Sequence, residues 1–236
     1  MQNDVTGASG AAPVIAVDGP SGVGKGMVTR WLAQTLGWHR LDSGALYRIL
    51  ALAASRRGIG LDDAAQVAAL APGLAIEFRG TGEQDEAILV DGVDCAAAVR
   101  TEATGGMASR IAASPAVRAA LLQRQRDFRE MPGLVADGRD MGTVVFPDAC
   151  LKIFLDASVE ARALRRWRQL SATGASANLA DLRADVHARD ERDRGRAAAP
   201  LAAAADAVVV DTTLLLPAEV IAEIGNLLRS RQIVVS

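Results

Sequence analysis

The spacing of hydrophobic residues changes once within the first forty positions, and this change separates a strand from a helix. Residues 14–17 form an unbroken apolar run, which is typical of a buried strand. Apolar residues then return three and four positions apart, which predicts a helix. These residues are Val28, Trp31, Leu32 and Leu36. The pattern therefore predicts a strand, a glycine-rich loop and a helix, in that order.

Further apolar runs, most of which end in an aspartate, predict four more strands that belong to an α/β sheet. The predicted strands cover 38–41, 134–137, 151–156 and 207–211. Helical spacing predicts helices after residue 43, across 101–129 with a break at Ser114-Pro115, along the stripe of Ala161, Leu164, Trp167 and Leu170, and after Pro217. We consider a helix over 185–196 as a hypothesis, because of its charged residues described below. No internal repeat is visible.

The stretch 58–100 differs from its surroundings. Its short runs at 74–79, 87–90 and 91–93, with a turn at Gly80–Gly82, predict hairpin strands that form a small β insertion. Residues 1–12 are small and polar, which predicts a disordered tail rather than a signal peptide. Residues 171–178 are small and have the composition of a mobile flap.

The loop after the first strand has the spacing of a phosphate-binding loop. Gly19 and Gly24 lie five residues apart, Lys25 follows, and the backbone N–H groups and helix N-terminus can hold phosphate. Only two of the 26 lysines and arginines are lysine, Lys25 and Lys152, so the choice of lysine in this loop is informative. The alternative is a glycine-rich turn beside an unrelated lysine.

A second group of charged residues lies at 185–196. In a helix, Arg189, Arg192, Asp193 and Arg196 share one face, which puts three guanidiniums beside one carboxylate. The ordinary interpretation is a solvated face with ion pairs of ~0.3–0.5 kcal/mol each. A phosphate loop in the same chain favours the other interpretation, because phosphoryl transfer uses arginines carried by a lid.

Polar residues also follow two other predicted strands. Ser43 is placed to cap a helix that carries Tyr47 and Arg48, while Arg139 and Asp140 come directly after the strand at 134–137. Because ligands bind at the carboxyl edge of a parallel sheet, we expect these residues at the same edge as the glycine loop. Taken alone, Tyr47 is equally well explained as a packing residue.

Composition excludes several classes of function. The formal net charge is −2 and the pI is about 5.8, which argues against a general nucleic-acid binder. Cys95 and Cys150 have no metal or redox spacing, and His39 and His187 are isolated. No stretch approaches a membrane span, so we expect a cytoplasmic protein without membrane or nucleic-acid partners.

Four stretches together give a resemblance to the bacterial cytidylate kinase family that runs from Ala12 to the last helix. They are DGPSGVGKG at 18–26, LDSGALYR at 41–48, ADGRDMGTVVFPD at 136–148, and RDERDRGR at 189–196 followed by Ala199-Pro200-Leu201. The first indicates only a nucleotide kinase, whereas the last three are specific. The resemblance implies a P-loop NTPase fold with a five-stranded parallel sheet flanked by helices. It also implies one nucleoside monophosphate kinase domain at 13–236, with a β-rich monophosphate-binding insertion at 58–100 and a short lid at about 171–180.

The resemblance also assigns roles to residues. It implies that ATP is held by Gly19, Ser21, Gly22, Val23, Gly24, Lys25 and Gly26, and that Lys25, Arg139, Arg189, Arg192 and Arg196 are catalytic. It implies that CMP is bound by Ser43, Tyr47, Arg48, Ser109, Arg118, Arg139, Asp140, Arg189, Asp193 and Arg196. In these assignments Ser109, Arg118 and Asp140 recognise cytosine, Arg48, Arg139 and Arg189 hold the acceptor phosphate, and Asp193 receives the sugar hydroxyls. One position departs from the family pattern, since Met27 replaces the usual Thr or Ser.

The expected reaction is reversible transfer of the γ-phosphoryl group of Mg-ATP to CMP or dCMP by a monomeric enzyme. No direct metal ligand is predicted, and Asp137 contacts Mg²⁺ through water in this hypothesis. Two alternatives remain open. One is a kinase of the same fold that phosphorylates another monophosphate or a hydroxy acid. The other is a nucleotide-dependent switch, although the chain lacks the Asn/Thr-Lys-x-Asp motif of a GTPase-type switch.

Overall fold

Strands and helices alternate along much of the chain in the computed structural model, which describes residues 11–79, 87–172, 174 and 176–233. The strands are β1 (Val14–Asp18), β2 (His39–Asp42), β3 (Ile76–Arg79), β4 (Ala87–Val90), β5 (Val93–Asp94), β6 (Leu134–Asp137), β7 (Leu151–Asp156) and β8 (Val208–Asp211). The helices are α1 (Lys25–Leu36), α2 (Ser43–Arg56), α3 (Ala64–Leu70), α4 (Ala96–Val99), α5 (Glu102–Ile111), α6 (Pro115–Arg126), α7 (Val159–Ala172), α8 (Leu179–Arg194) and α9 (Pro217–Ser230).

The chain divides into two compact units. The first unit comprises the described residues up to Asp42 and from Gln125 onward, and the second unit is Ser43–Arg124. The predicted insertion at 58–100 lies within the second unit, together with helices on either side of it in sequence. The predicted turn at Gly80–Gly82 and the predicted tail at 1–10 lie outside the described residues. None of the helices in the described ranges is long and apolar enough to cross a membrane.

The first unit is built on a five-stranded sheet in the order β2-β6-β1-β7-β8, in which every neighbouring pair is parallel. Strand β1 is central, with Ile15 paired to both Val135 and Leu151. All five residues of β1 are buried, which explains why its sequence is a solid apolar run instead of an alternating one. The predicted α/β sheet and its five strands are confirmed.

Two helices complete the core of the first unit. Val28 and Leu32 of α1, with Ile224 of α9, pack in one apolar cluster with residues of β1, β6, β7 and β8. The start of the described chain also belongs to this packing, because Ala12 is buried and its carbonyl accepts a hydrogen bond of 2.6 Å from Nε of Arg129. The parallel sheet is thus covered by helices, as the resemblance implies.

The second unit contains an antiparallel sheet in the order β3-β4-β5, so the predicted hairpin strands are confirmed. The predicted break at Ser114-Pro115 is also confirmed, because α5 ends at Ile111 and α6 begins at Pro115. Two short helices in the stretch expected to be β, α3 and α4, were not predicted. Helix α3 has a single buried side chain, Val67, and therefore shows no apolar period, but its start is capped by the Asp63 carboxylate on the N–H of Gln66.

Candidate active site

The loop between β1 and α1 has the backbone that only glycines allow. Gly19, Gly22 and Gly24 have φ of +146°, +80° and +96°. A Cβ on Gly19 would lie 2.1 Å from the carbonyl oxygen of Leu155, so no larger residue fits there. The residue before α1 is Gly24, which offers no side-chain cap to the first N–H groups of the helix. These uncapped donors and the positive helix terminus suit a phosphate.

The first residue of α1 is Lys25, and its side chain is buried under the loop. Its ammonium donates to the carbonyls of Gly19 at 2.9 Å and Pro20 at 2.8 Å. Burial lowers the pKa of Lys25, and the charge of Arg139 lowers it further. Both bonding partners are neutral carbonyls. These two contacts therefore hold the ammonium at the loop through neutral groups.

The other predicted loop residues have different surroundings. Ser21 is half-buried, whereas Val23 is buried in the apolar core of the first unit. Gly26 is the second residue of α1, and a Cβ there would lie 4.0 Å from a carboxylate oxygen of Asp137. Met27, which departs from the family pattern, packs on the same apolar core. Its side chain therefore serves packing at a position where the family usually carries a hydroxyl.

Two buried carboxylates end neighbouring strands at this edge of the sheet. Asp18 ends β1 and accepts 2.8 Å hydrogen bonds from the N–H groups of Met141 and Gly142. Burial raises the pKa of Asp18 to about 6. Asp137 ends β6, and burial raises its pKa although the charge of Lys25 acts in the opposite direction. Asp18 thereby fixes the turn that follows β6 and carries Arg139 and Asp140.

The residues present fit a magnesium ion that is bound mainly through the substrate. No group of three or more His, Cys, Asp or Glu side chains placed to hold a metal occurs among the residues that the structure describes. Mg²⁺ typically keeps several waters and binds through one or two carboxylates plus substrate phosphates. The buried carboxylate of Asp137, close to Gly26, supplies an oxygen donor of that kind.

Arginines of the first unit gather around a single buried carboxylate. Nε of Arg139 donates to one oxygen of Asp193 at 3.0 Å, and Arg196 donates to the other. Burial raises the pKa of Asp193, but the charges of Arg139 and Arg196 outweigh it and hold the pKa below its usual value, with a further contribution from Arg189. Three guanidiniums and one carboxylate leave this cluster with net positive charge, which suits a phosphate.

The predicted helical face of 185–196 is only partly present. Helix α8 ends at Arg194, so Arg196 lies beyond the helix and reaches Asp193 from the following turn. Arg189 is half-buried in α8, and Arg192 is exposed. The expectation that all four residues occupy one helical face is wrong at Arg196, because the helix ends at Arg194 with Gly195 as its C-cap residue.

One buried ion pair was missed from the sequence. Arg162 of α7 and Asp190 of α8 are 1% and 3% exposed, and NH1 of Arg162 lies 2.9 Å from Oδ1 of Asp190. The apolar stripe predicted for α7 is at most half-buried, and Trp167 is 38% exposed. Arg162 and its neighbour Ala163 are the buried residues of this helix instead. No spacing rule singles out an arginine on the buried side of a helix.

In the second unit, the structure brings two predicted residues together. Tyr47 and Arg118 are adjacent, with the guanidinium carbon of Arg118 5.8 Å from the centre of the Tyr47 ring. Arg118 also donates to the carbonyl of Ala112 at 3.4 Å. Ser43 and Ser109 are buried in the same unit.

Arg48 is held at backbone oxygens of the second unit. Its NH1 donates to the carbonyls of Val99 at 2.9 Å and Thr101 at 3.0 Å. A Cβ on Gly105 would lie 2.8 Å from NH2 of Arg48, so the glycine leaves room for this arrangement. These two contacts fix the guanidinium within the second unit.

Comparison with known proteins identifies a family. Residues 15–230 match the family model described as Cytidylate kinase. The cytidylate kinase of Aeromonas salmonicida (strain A449) is 54% identical over 213 residues, which cover 90% of this chain and 92% of that protein. The cytidylate kinase of Bordetella bronchiseptica (strain ATCC BAA-588 / NCTC 13252 / RB50) is 56% identical over 209 residues, covering 89% and 92%. A solved gluconokinase from Sinorhizobium meliloti 1021 matches weakly, with TM-score 0.47 and 18% identity over 93% of this chain and 94% of that one, and adds nothing to the assignment.

Proposed function

We propose that this chain, which belongs to the cytidylate kinase family, transfers the γ-phosphoryl group of ATP to CMP or dCMP through the side chains described above. The chain is a phosphotransferase of the P-loop kinase class, and its products are ADP and CDP or dCDP. The observation that carries the assignment of residues is the buried Lys25 ammonium, held at the glycine loop in the same unit as the arginine cluster around Asp193.

In our proposal the donor nucleotide is held by the loop at 19–26. The uncapped N–H groups at the start of α1 and the Lys25 ammonium offer positive charge to the phosphates of ATP. Bound phosphate favours the charged form of Lys25, which burial in the protein alone disfavours. Mg²⁺, when bound with ATP, neutralises the charge that develops on the phosphates, and Asp137 would hold it through water.

We assign the acceptor phosphate and the transferring group to the arginines of the first unit. Arg139 and Arg196 are fixed by opposite oxygens of Asp193, and Arg189 adds its charge to the same cluster. Fixed guanidiniums stabilise phosphoryl transfer without reorganisation at the moment of reaction. The exposed Arg192 has the least support as a catalytic residue. The assignment of Arg48 to the acceptor phosphate comes from the family resemblance, and its two hydrogen bonds to backbone carbonyls hold the guanidinium in place within the second unit.

Recognition of cytosine is assigned to Asp140, Ser109 and Arg118, with Ser43 nearby in the proposal. A carboxylate can accept a hydrogen bond from the exocyclic amino group of cytosine, while a guanidinium or hydroxyl can donate to the ring acceptors. Uracil has a carbonyl in place of the amino group, which would face the Asp140 carboxylate and leave it unpaired. Discrimination against UMP follows from that mismatch.

Two roles are proposed for Asp193. Both of its oxygens accept from arginines, which supports a role in positioning Arg139 and Arg196. The resemblance assigns it to the sugar hydroxyls. Comparing CMP with dCMP in the Asp193→Ala variant separates the two, because a sugar contact affects CMP more and a positioning role affects both equally.

The remaining features of the proposal concern the whole protein. We place the lid at about 171–180, a range that includes the last residues of α7 and the first of α8, and expect its closure to exclude water and so limit ATP hydrolysis. We propose that the enzyme works as a cytoplasmic monomer on small nucleotides. The net charge of −2 supports this over binding to nucleic acid or to an anionic membrane.

The test is an acceptor panel with purified protein, ATP and Mg²⁺. CMP, dCMP, UMP, AMP and a hydroxy acid such as gluconate are supplied separately, and the phosphorylated product is identified by chromatography. We expect CDP and dCDP as the main products. Faster phosphorylation of any other acceptor contradicts the proposal.

A further inference from the structure

A buried, two-pronged ion pair connects helices α7 and α8 of the first unit. NH1 and NH2 of Arg162 lie 2.9 and 2.5 Å from the two oxygens of Asp190. Such a fork fixes the relative orientation of both side chains as well as their separation. The two residues lie on different helices, so the pair fixes one helix against the other.

The same guanidinium also reaches the phosphate loop. Its Nε donates to the carbonyl of Ala157 at 2.9 Å, just before α7, and NH1 donates to the carbonyl of Ser21 at 3.3 Å. The aliphatic part of the Arg162 side chain packs against Gly22, where a Cβ would lie 3.3 Å from Cβ of Arg162. One buried side chain therefore contacts the start of α7, the loop and α8.

The partner on α8 lies among the proposed catalytic residues. Asp190 directly follows Arg189 and precedes Asp193 by three residues, so all three lie within little more than one turn of the helix. Because Arg162 binds Asp190 and also contacts the loop, it fixes this part of α8 relative to the loop. A displacement of about 1 Å at a catalytic group can cost on the order of 10² in rate.

We propose that Arg162 and Asp190 are positioning residues, which hold the turn of α8 that carries Arg189 and Asp193 in register with the phosphate loop. This inference rests on the proposed phosphoryl transfer. It goes beyond it by assigning a role to two residues that are not among those proposed to bind either nucleotide.

A purely stabilising role is the competing explanation, and the physics of buried ions separates the two. Removing one member of a buried pair leaves an uncompensated charge and destabilises a protein, whereas replacing both by apolar residues of similar volume is often neutral or stabilising. A double variant can therefore restore stability without restoring the geometry that the fork imposes.

The experiment compares Arg162→Met, Asp190→Leu, the double variant and the conservative Arg162→Lys with the unchanged protein. Tm, kcat for CDP formation, KM for CMP and the affinity for Mg-ATP by calorimetry are measured for each. We expect both single variants to lose Tm, and the double variant to regain it while kcat stays at least about tenfold low. Recovery of both Tm and kcat in the double variant overturns the proposal.

Arg162→Lys keeps the charge but not the fork, so it decides the question if the double variant does not fold. A folded Arg162→Lys protein with kcat at least about tenfold low supports positioning, and one with unchanged kcat and nucleotide affinities overturns it. If the unchanged protein does not phosphorylate CMP, the proposed function fails. The affinity for Mg-ATP then still tests the role of the Arg162–Asp190 pair. An affinity about tenfold weaker in a folded variant supports an action of the pair on the loop, and an unchanged affinity overturns the proposal.

The chain offers a matched control. Arg183 of α8 and Glu160 of α7 also form an ion pair between the same two helices, at 2.7 Å, but their side chains are 63% and 59% exposed. We expect Arg183→Gln with Glu160→Gln to keep kcat within about twofold, because exposed pairs contribute little. An equal loss of kcat in this control would assign the effect to general helix packing and overturn the proposal.

Discussion

The two units of the chain bury different kinds of polar side chain. Within the described residues, the buried charged side chains all lie in the first unit, whereas the buried polar side chains of the second unit are hydroxyls. The first set is Asp18, Lys25, Asp137, Asp140, Lys152, Arg162, Asp190 and Asp193; the second is Ser43, Thr104 and Ser109. Burying ions is unfavourable unless they are paired and hydrogen-bonded. The unfavourable free energy of burying ions therefore falls on the first unit, in which we place the phosphate chemistry.

The arginines of the two units also differ in the groups to which they donate hydrogen bonds. In the first unit, Arg139 and Arg162 donate to buried carboxylates. In the second unit, Arg57 and Arg110 pair with exposed carboxylates, and Arg124 donates to the backbone carbonyl of Ala71 at 2.7 Å. A carboxylate fixes an arginine and cancels part of its charge, while a carbonyl fixes it and leaves the charge intact. A site can therefore place guanidiniums with or without neutralising them.

The largest expected effect comes from the charge at the glycine loop. Lys25→Ala removes a preorganised donor from a buried site, and we expect kcat to fall by ~10²–10³. Steady-state kinetics with ATP and CMP measures the loss. The other lysine provides the control. Lys152 is paired with Asp206 at 3.0 Å, and Lys152→Arg, which can keep this ion pair, should leave kcat unchanged. A Lys25→Ala protein that keeps most of its turnover contradicts the assignment of the donor site.

The second effect is a pH dependence of stability in the first unit. Burial raises the pKa of Asp18 from its ordinary value of 3.8 to about 6. The folded state therefore binds more protons in this window, and the contribution of Asp18 to stability is lost as the pH rises through it. We expect the unfolding free energy of the unchanged protein, relative to Asp18→Asn, to fall by up to about 3 kcal/mol between pH 4 and 7.

Denaturant titrations of both proteins at several pH values measure this difference. Comparing the two removes the effects of carboxylates that do not interact with Asp18, since both proteins share them. A difference that stays constant, or that grows with pH, is incompatible with a carboxyl group whose pKa burial raises.

A smaller effect is expected on substrate choice. Asp140→Ala should reduce the preference for CMP over UMP by roughly 10–10²-fold, because the carboxylate no longer faces the uracil carbonyl. The measurement is the ratio of kcat/KM values for the two acceptors. Asp148 ends the same sequence motif, and its exposed side chain pairs with Arg129, so Asp148→Ala is the control and should leave the ratio unchanged.

The smallest effect is expected for an exposed pair of the second unit. Arg110 and Asp62 are bonded at 3.0 Å, yet their side chains are 54% and 90% exposed. Arg110→Gln should lower the unfolding free energy by at most about 1 kcal/mol. Thermal unfolding checks this value. A larger loss would mean that the contrast between buried and exposed charge does not govern stability here.

The sequence predicted the sheet and the glycine loop well, because both depend on local patterns. The solid apolar run of β1 and the spacing of Gly19, Gly24 and Lys25 are visible in the chain itself. Contacts between distant segments were not predictable in this way. Nothing local indicates that Arg162 would be buried against Asp190, or that Asp18 would bond the N–H groups of Met141 and Gly142, since each contact depends on how β7, α7, α8 and the turn after β6 pack.

Helix ends set a further limit on prediction. The face expected for 185–196 assumed an unbroken helix, but the helix ends at Arg194 and leaves Arg196 in the next turn. Helix α3 was missed because an alanine-rich segment with one buried valine has no apolar period. The first case shows that periodicity does not predict where a helix ends, and the second shows that it misses a short helix with a single buried side chain.

The central claim is that the Lys25 loop holds ATP while the residues assigned to cytosine hold CMP. Separate calorimetric titrations of each nucleotide into Lys25→Ala and Arg118→Ala test it most directly. We expect Lys25→Ala to lose affinity for Mg-ATP and keep its affinity for CMP, and Arg118→Ala to show the reverse. If both variants bind CMP as the unchanged protein does, or if the unchanged protein does not bind CMP at all, the account is wrong.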